Sequence, residues 1–158
     1  MILEIDLPKD SKLISKDMKD IIFSDCFLVT NIDSNLSILD IYYKITQRLS
    51  KLNFLFKIRD KIFGLFGVRA LNGFLGKRIV RDSNKIDFFN IEEYSDNSLI
   101  LTNKDSHLDV MINLEIKNKN NLYLITSVKT HNIVGYFYIK LVAIFHKKIV
   151  RFGLKSLI

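Results

Sequence analysis

The sequence predicts an α+β protein, an antiparallel sheet with segregated helices that ends in one long C-terminal helix. Three observations carry this. From Ile86 to Thr130 the apolar residues recur at every second position, in four runs separated by short polar turns. Ahead of that stretch, two segments place apolar residues at helical spacing. Behind it, the chain from Asn132 onward carries a wide apolar arc opposite a basic stripe.

Taken in order, residues 1–20 are a polar lead-in with a short strand expected at Ile2–Ile5, and Pro8 marks loop after it. Residues 21–30 form the first long strand, rich in the bulky residues Phe23, Cys26, Phe27, Leu28 and Val29. Ser37 is an N-cap, with Asp40 in the first turn. Ile38, Ile41, Tyr42, Ile45 and Leu49 then make one buried helical face. A second helix is expected over about 54–66, with Leu55, Ile58, Ile62, Leu65 and Phe66 as its apolar stripe and Arg59 and Asp60 off it. Residues 68–84 read as a loop with a short strand at 78–80. There Lys77, Arg78 and Arg81 make the densest basic patch. The meander follows as strands 87–94, 98–102, 107–117 and 122–130. In the third of these, Leu108, Val110, Ile112, Leu114 and Ile116 share one face; His107, Asp109, Met111, Asn113 and Glu115 share the other. The last helix starts near Asn132 and turns Lys140, Lys147, Lys148, Arg151 and Lys155 to water. Tyr138, Val142, Phe145 and Ile149 are expected to face the sheet, and His146 the interior.

A chain of 158 residues has the length of one domain, expected here over 21–158 behind the lead-in. Its 48% apolar and 26% charged residues are those of a soluble globular protein. The net charge of +7 would suit nucleic acid or an anionic surface. The basic residues are spread along the chain, however, and no strand carries the aromatic spacing of an RNA-binding sheet. A lysine-rich solvated surface is the simpler reading, and no nucleic acid partner is expected. Cys26 is the only cysteine, so neither an intrachain disulfide nor a cysteine metal knuckle is available. The N-terminus lacks a signal-peptide pattern, and no segment approaches the roughly 18 apolar residues of a membrane span. A cytoplasmic location with no transmembrane segment is the expectation. The sequence also lacks a G-x-S-x-G elbow, a P-loop and an H-E-x-x-H helix.

Several stretches together carry a resemblance. S-H-L-D-V-M-I-N-L, S-V-K-T-H-N-I-V-G-Y-F-Y and F-H-K-K-I-V-R, with F-S-D-C-F and K-I-R-D-K-I-F-G-L-F-G upstream, resemble the DUF2867 family of uncharacterised bacterial proteins. The resemblance spans roughly residues 20–155. That family is similar to the SRPBCC, or Bet v 1-like, helix-grip superfamily, which implies a sheet wrapped around the C-terminal helix with two helices after the first strand. Relatives of the domain occur behind dinucleotide-binding, dehydrogenase-like domains. Gly64, Gly67, Gly73 and Gly76 do not take the G-x-G-x-x-G spacing, so dinucleotide binding is not implied and no cofactor is expected.

Three constellations bear on function. His107 and Asp109 lie two apart on a strand, and His131 ends its antiparallel neighbour, which gathers them near the start of the last helix. Such a group could hold a divalent metal or act as an acid–base pair. A hydrogen-bonded network tethering helix to sheet is the simpler reading, and no metal is assigned. His146 lies about 20 Å further along by helical rise and belongs to a different place. Arg59, in the R-D pair that the resemblance picks out, could clamp an anion; an ion pair with a neighbour such as Asp109 is preferred. The aromatic content, Phe89, Tyr138 and Phe145 included, with Val142 and Ile149 could line a cavity between sheet and helix. The leading expectation is therefore a module binding an apolar or amphipathic small molecule. The alternatives are an enzyme using the His/Asp group and an interaction module acting with a partner oxidoreductase.

Overall fold

The computed structural model describes residues 1–76 and 84–158. Among these, seven strands form one antiparallel sheet: β1 (Ile2–Ile5), β2 (Ile21–Thr30), β3 (Lys85–Ile86), β4 (Phe89–Tyr94), β5 (Ser98–Lys104), β6 (Leu108–Lys117) and β7 (Asn121–Thr130). Their order is β1-β2-β7-β6-β5-β4-β3, so the first long strand lies against the last. Helices α1 (Ile38–Leu49) and α2 (Asn53–Gly64), linked by a 3₁₀ turn at Ser50–Leu52, separate β2 from the meander, and α3 (Ile133–Leu154) closes the chain.

The local chemistry explains most of these boundaries. Ser37 caps α1 in a capping box: its hydroxyl accepts from the Asp40 N–H and the Asp40 carboxylate accepts from the Ser37 N–H. Asn132 caps α3 by accepting from the Gly135 N–H at 3.0 Å. The β6–β7 hairpin turns at Asn118 and Lys119, whose φ angles of 53° and 66° give the left-handed pair that matches strand twist.

The expected strand over 87–94 is instead a turn and a strand. Asp87 takes φ 52°, and its carboxylate accepts from the Tyr42 hydroxyl at 2.5 Å and the Leu75 N–H at 2.9 Å. Ile86 then pairs with Phe89, which gives the meander one strand more than expected. The alternating pattern continues across the turn, and an aspartate tolerates the left-handed region, so periodicity alone does not reveal the break. The strand expected at 78–80, with the basic patch around it, lies outside the described residues.

The helices cover one face of the sheet. Phe27, Val29, Leu99, Leu101, Leu114 and Leu124 of that face pack under α1 and the C-terminal end of α3, where Gly153 lies against Ile45 and Leu49. At the other end, Leu108 and Val128 pack against Tyr138 and Ile139 of α3. The opposite face is crossed by the N-terminal segment. Ile14 donates its N–H to Ser127 Oγ at 2.9 Å, and Lys12 reaches Glu93 at 2.6 Å. A groove of about 860 Å³ runs beneath it, along Pro8, Leu13, Ile100 and Met111.

Helix α2 is turned the other way from its apolar stripe. Arg59 and Asp60 point inward, while Ile58, Ile62 and Leu65 face solvent, and no residue of α2 is fully buried. The reason lies in the loop that follows. Asp60 accepts from the N–H groups of Leu71 and Asn72, and Arg59 donates to the Arg69 carbonyl. Those backbone groups are met only if the charged side faces in.

Candidate functional site

The strand F-S-D-C-F alternates Phe23, Asp25 and Phe27 onto the helix-bearing face. Asp25 pairs in register with Thr126 of β7, so carboxylate and hydroxyl stand side by side. α3 crosses above and lowers His146 onto them, with Nε2 3.3 Å from Asp25 Oδ2. The Phe23 ring meets the imidazole in a T-shaped contact at 5.2 Å. The Asp25 side chain is 2% exposed. Neither of its carboxylate oxygens, nor Thr126 Oγ1, nor His146 Nε2 makes a hydrogen bond among the described residues. The His146–Asp25 contact is thus close enough for a charge interaction but is not aligned as a hydrogen bond. Neighbouring Cys26 is buried on the same strand. Burial and then the Asp25 charge push its thiol up to about 11, which keeps it protonated and unreactive.

The polar residues singled out from the sequence divide into four places. His131 Nε2 lies 3.0 Å from Asp109 Oδ1 in a partly exposed pair. His107 points elsewhere. Its Nδ1 is 3.1 Å from Asn132 Oδ1 at the α3 cap, and its carbonyl accepts from the His131 N–H at 2.8 Å. Arg59 does not reach Asp109. It pairs with Asp60 at 2.5 Å, donates from Nε to the Tyr138 hydroxyl at 3.0 Å and stacks over that ring. Burial would lower the Arg59 pKa, but Tyr138 and Asp60 outweigh it and raise it. His146 belongs to the Asp25 cluster. Phe89 and Tyr138 are buried, and Val142 and Ile149 are partly buried against the core. Phe145 differs from expectation: it is 53% exposed on the outer side of α3. The buried stripe of α3 centres on Gly135, His146 and Gly153, and Phe145 lies roughly a quarter turn from that centre. Among the described residues, no three His, Cys, Asp or Glu side chains converge as a metal site requires.

The profile of DUF2867, described as a protein of unknown function, matches residues 18–152. The chain belongs to the DUF2867 family. No curated protein matches it, and no solved structure does. In this DUF2867 protein the matched span includes Asp25, Thr126 and His146 and leaves β1 outside. None of its described helices is long and apolar enough to cross a membrane.

Asp25 and Thr126 were not anticipated as site residues in the DUF2867 chain. A signal existed. Asp25 stands between Phe23 and Phe27 at the same-face positions of an apolar strand, where a carboxylate must be buried. An unpaired buried polar group costs about 1–3 kcal/mol. Replacing the pair by apolar groups, Asp25→Leu with His146→Phe, is therefore expected to stabilise the DUF2867 fold by about 2 kcal/mol. Urea unfolding midpoints measure this, and a loss of stability would show that the pair tethers α3 to β2.

Proposed function

We propose that this protein binds a small amphipathic molecule between the sheet and α3, its polar end against Asp25, His146 and Thr126. The observation that carries this reading is the Asp25 carboxylate, buried with neither oxygen hydrogen-bonded among the described residues. Interiors seldom leave such a group unmet unless it serves binding or chemistry. The matching ligand end is a hydrogen-bond donor, an alcohol or an amine, and its apolar body would rest on the surrounding Phe23, Val142 and Ile149. The helix-grip reading of the fold supports this placement. Two helices between the first long strand and the meander, and a long C-terminal helix across the sheet, are the elements of that architecture.

Titration of the purified protein with decanol, decylamine and decanoate, read by thermal shift, tests the proposal. The alcohol or the amine is expected to raise the melting temperature and decanoate to be inert, because a second carboxylate beside Asp25 is repelled. Asp25→Asn should cut the affinity for the responding ligand about tenfold, near the 1.5–3 kcal/mol of a charged hydrogen bond. Absence of any shift, or an equal response in Asp25→Asn, would overturn it. A second reading, acid–base chemistry on the bound molecule, draws on the His146–Asp25 contact, which sets an imidazole nitrogen 3.3 Å from a buried carboxylate oxygen. Conversion of the bound molecule to a product of different mass would favour it.

A further inference from the structure

The outer faces of α2 and α3 carry large apolar side chains that the described protein leaves uncovered. Phe54, Ile58 and Ile62 on α2 and Phe137, Ile144 and Phe145 on α3 each keep about half or more of their surface in solvent. The two helices meet at Tyr138, near the start of α3. Phe63 contacts the Tyr138 ring at 4.8 Å, Arg59 bonds the Tyr138 hydroxyl, and Gly67 just past α2 approaches His107 beneath Gly135. The two stripes therefore lie on helices that touch each other. Scattered exposed apolar residues are ordinary on a monomer; apolar stripes on two touching helices are not.

The charges around these stripes are mostly basic, with Glu4 of β1 paired to Lys147 and Arg151 along one border. α3 contains no Asp or Glu in its whole length, and Lys140 and Lys148 stand exposed on it beside Lys147, which is paired with Glu4. The sole acid of α2, Asp60, is turned inward onto the N–H groups of Leu71 and Asn72, so its outer side keeps Lys57 and Lys61. An acidic residue in the middle of α2 would argue against surface binding if it faced outward; its inward turn removes that objection. The composition also separates the occupants. Protein interfaces favour Tyr, Trp and Arg and are poor in Lys, whereas these stripes pair Ile, Leu and Phe with lysine. A second copy of the chain would set two cationic rims against each other.

We propose that this face docks on an anionic lipid surface. The apolar side chains enter the boundary between headgroups and acyl chains, and the lysines sit among the anionic headgroups. The protein lies on the bilayer in this arrangement and does not cross it. The proposal rests on the outer helix faces and is independent of the Asp25 cluster.

Flotation of the full chain with vesicles tests it, using phosphatidylcholine alone and phosphatidylcholine mixed equally with phosphatidylglycerol. Binding is expected to the mixed vesicles only and to fall steeply with added salt. Lys148→Glu and Lys61→Glu should each weaken it about fivefold or more, and Phe137→Ser about tenfold. All three positions are on the surface, and far-ultraviolet circular dichroism of each variant checks that the fold is kept. Equal binding to both vesicle types, no binding to mixed vesicles at low salt, or unchanged binding by a Phe137→Ser, Lys148→Glu double variant would overturn the proposal. A self-associated wild type that Phe137→Ser converts to monomer would overturn it too, because the face would then be a contact between copies.

Discussion

Gly135→Ala is expected to destabilise the protein by roughly 3 kcal/mol or more. A Cβ at this position would stand 2.1 Å from the His107 carbonyl oxygen and 2.8 Å from its carbon. Both are backbone atoms, so no side-chain rotation relieves the overlap. The same oxygen already accepts the His131 N–H, which ties the starts of β6 and α3 together. α3 must therefore lift away from the sheet, or that hydrogen bond must break. Urea unfolding would show a lower midpoint, and hydrogen exchange would show the His131 amide losing protection. Glycine here is a requirement of close approach between a helix and a strand end, since its φ is an ordinary helical one.

Asp60→Ala is expected to cost about 3 kcal/mol, for a different reason. Its carboxylate is 14% exposed and serves the Arg59 guanidinium and two backbone N–H groups at once. Removing it leaves a buried cation and two unmet donors. The loss should depend on pH. Burial would raise the Asp60 pKa, but Arg59 and the N–H groups of Asn72 and Leu71 hold it below the usual carboxylate range. A carboxyl whose folded pKa is lowered stabilises fully above its unfolded value, about pH 4. The gap between wild type and Asp60→Ala should therefore be complete near neutrality and close as pH falls through the lowered value. Denaturant titrations across that range measure it; a gap independent of pH would show that the cost is packing alone.

Much of the architecture is legible in the residues. The Ser37 and Asp40 box, with Ile38, Ile41, Ile45 and Leu49 behind it, specifies α1 locally, and the Asn132 cap does the same for the start of α3. The alternation in β6 likewise marks which residues share a face. Other features depend on partners distant in sequence. The stripe on α2 shows that Ile58 and Ile62 share a face, but periodicity carries no information on which face meets the protein. That was decided by donors at Leu71 and Asn72 seeking Asp60. Phe145 falls outside the buried face because four residues at helical spacing form an inclined ridge, and the far edge of that ridge runs out of the sheet's cover. His107, Asp109 and His131 do lie at neighbouring strand ends, yet small differences in side-chain direction send His107 to the Asn132 cap and His131 to Asp109. Asp25 does not stand out in the sequence, because an acid within an apolar strand has no visible partner until the opposite element, here α3 with His146, is in place.

The pairing of β2 with β7 has a consequence for how the chain reaches its structure. Cys26 meets Ile125 across most of the molecule's length, so β2 must wait through the synthesis of α1, α2 and the meander before its long-lasting neighbour exists. Until then β1 covers one of its edges and the other is bare, in the most apolar strand of the N-terminal half. Late, distant pairing of this kind makes folding slow and leaves nascent chains prone to edge-to-edge association. Asp25, set among Phe23, Cys26 and Phe27, places a charge in the middle of that waiting strand. A carboxylate that is costly once buried is protective before burial, as a gatekeeper against self-pairing on the ribosome.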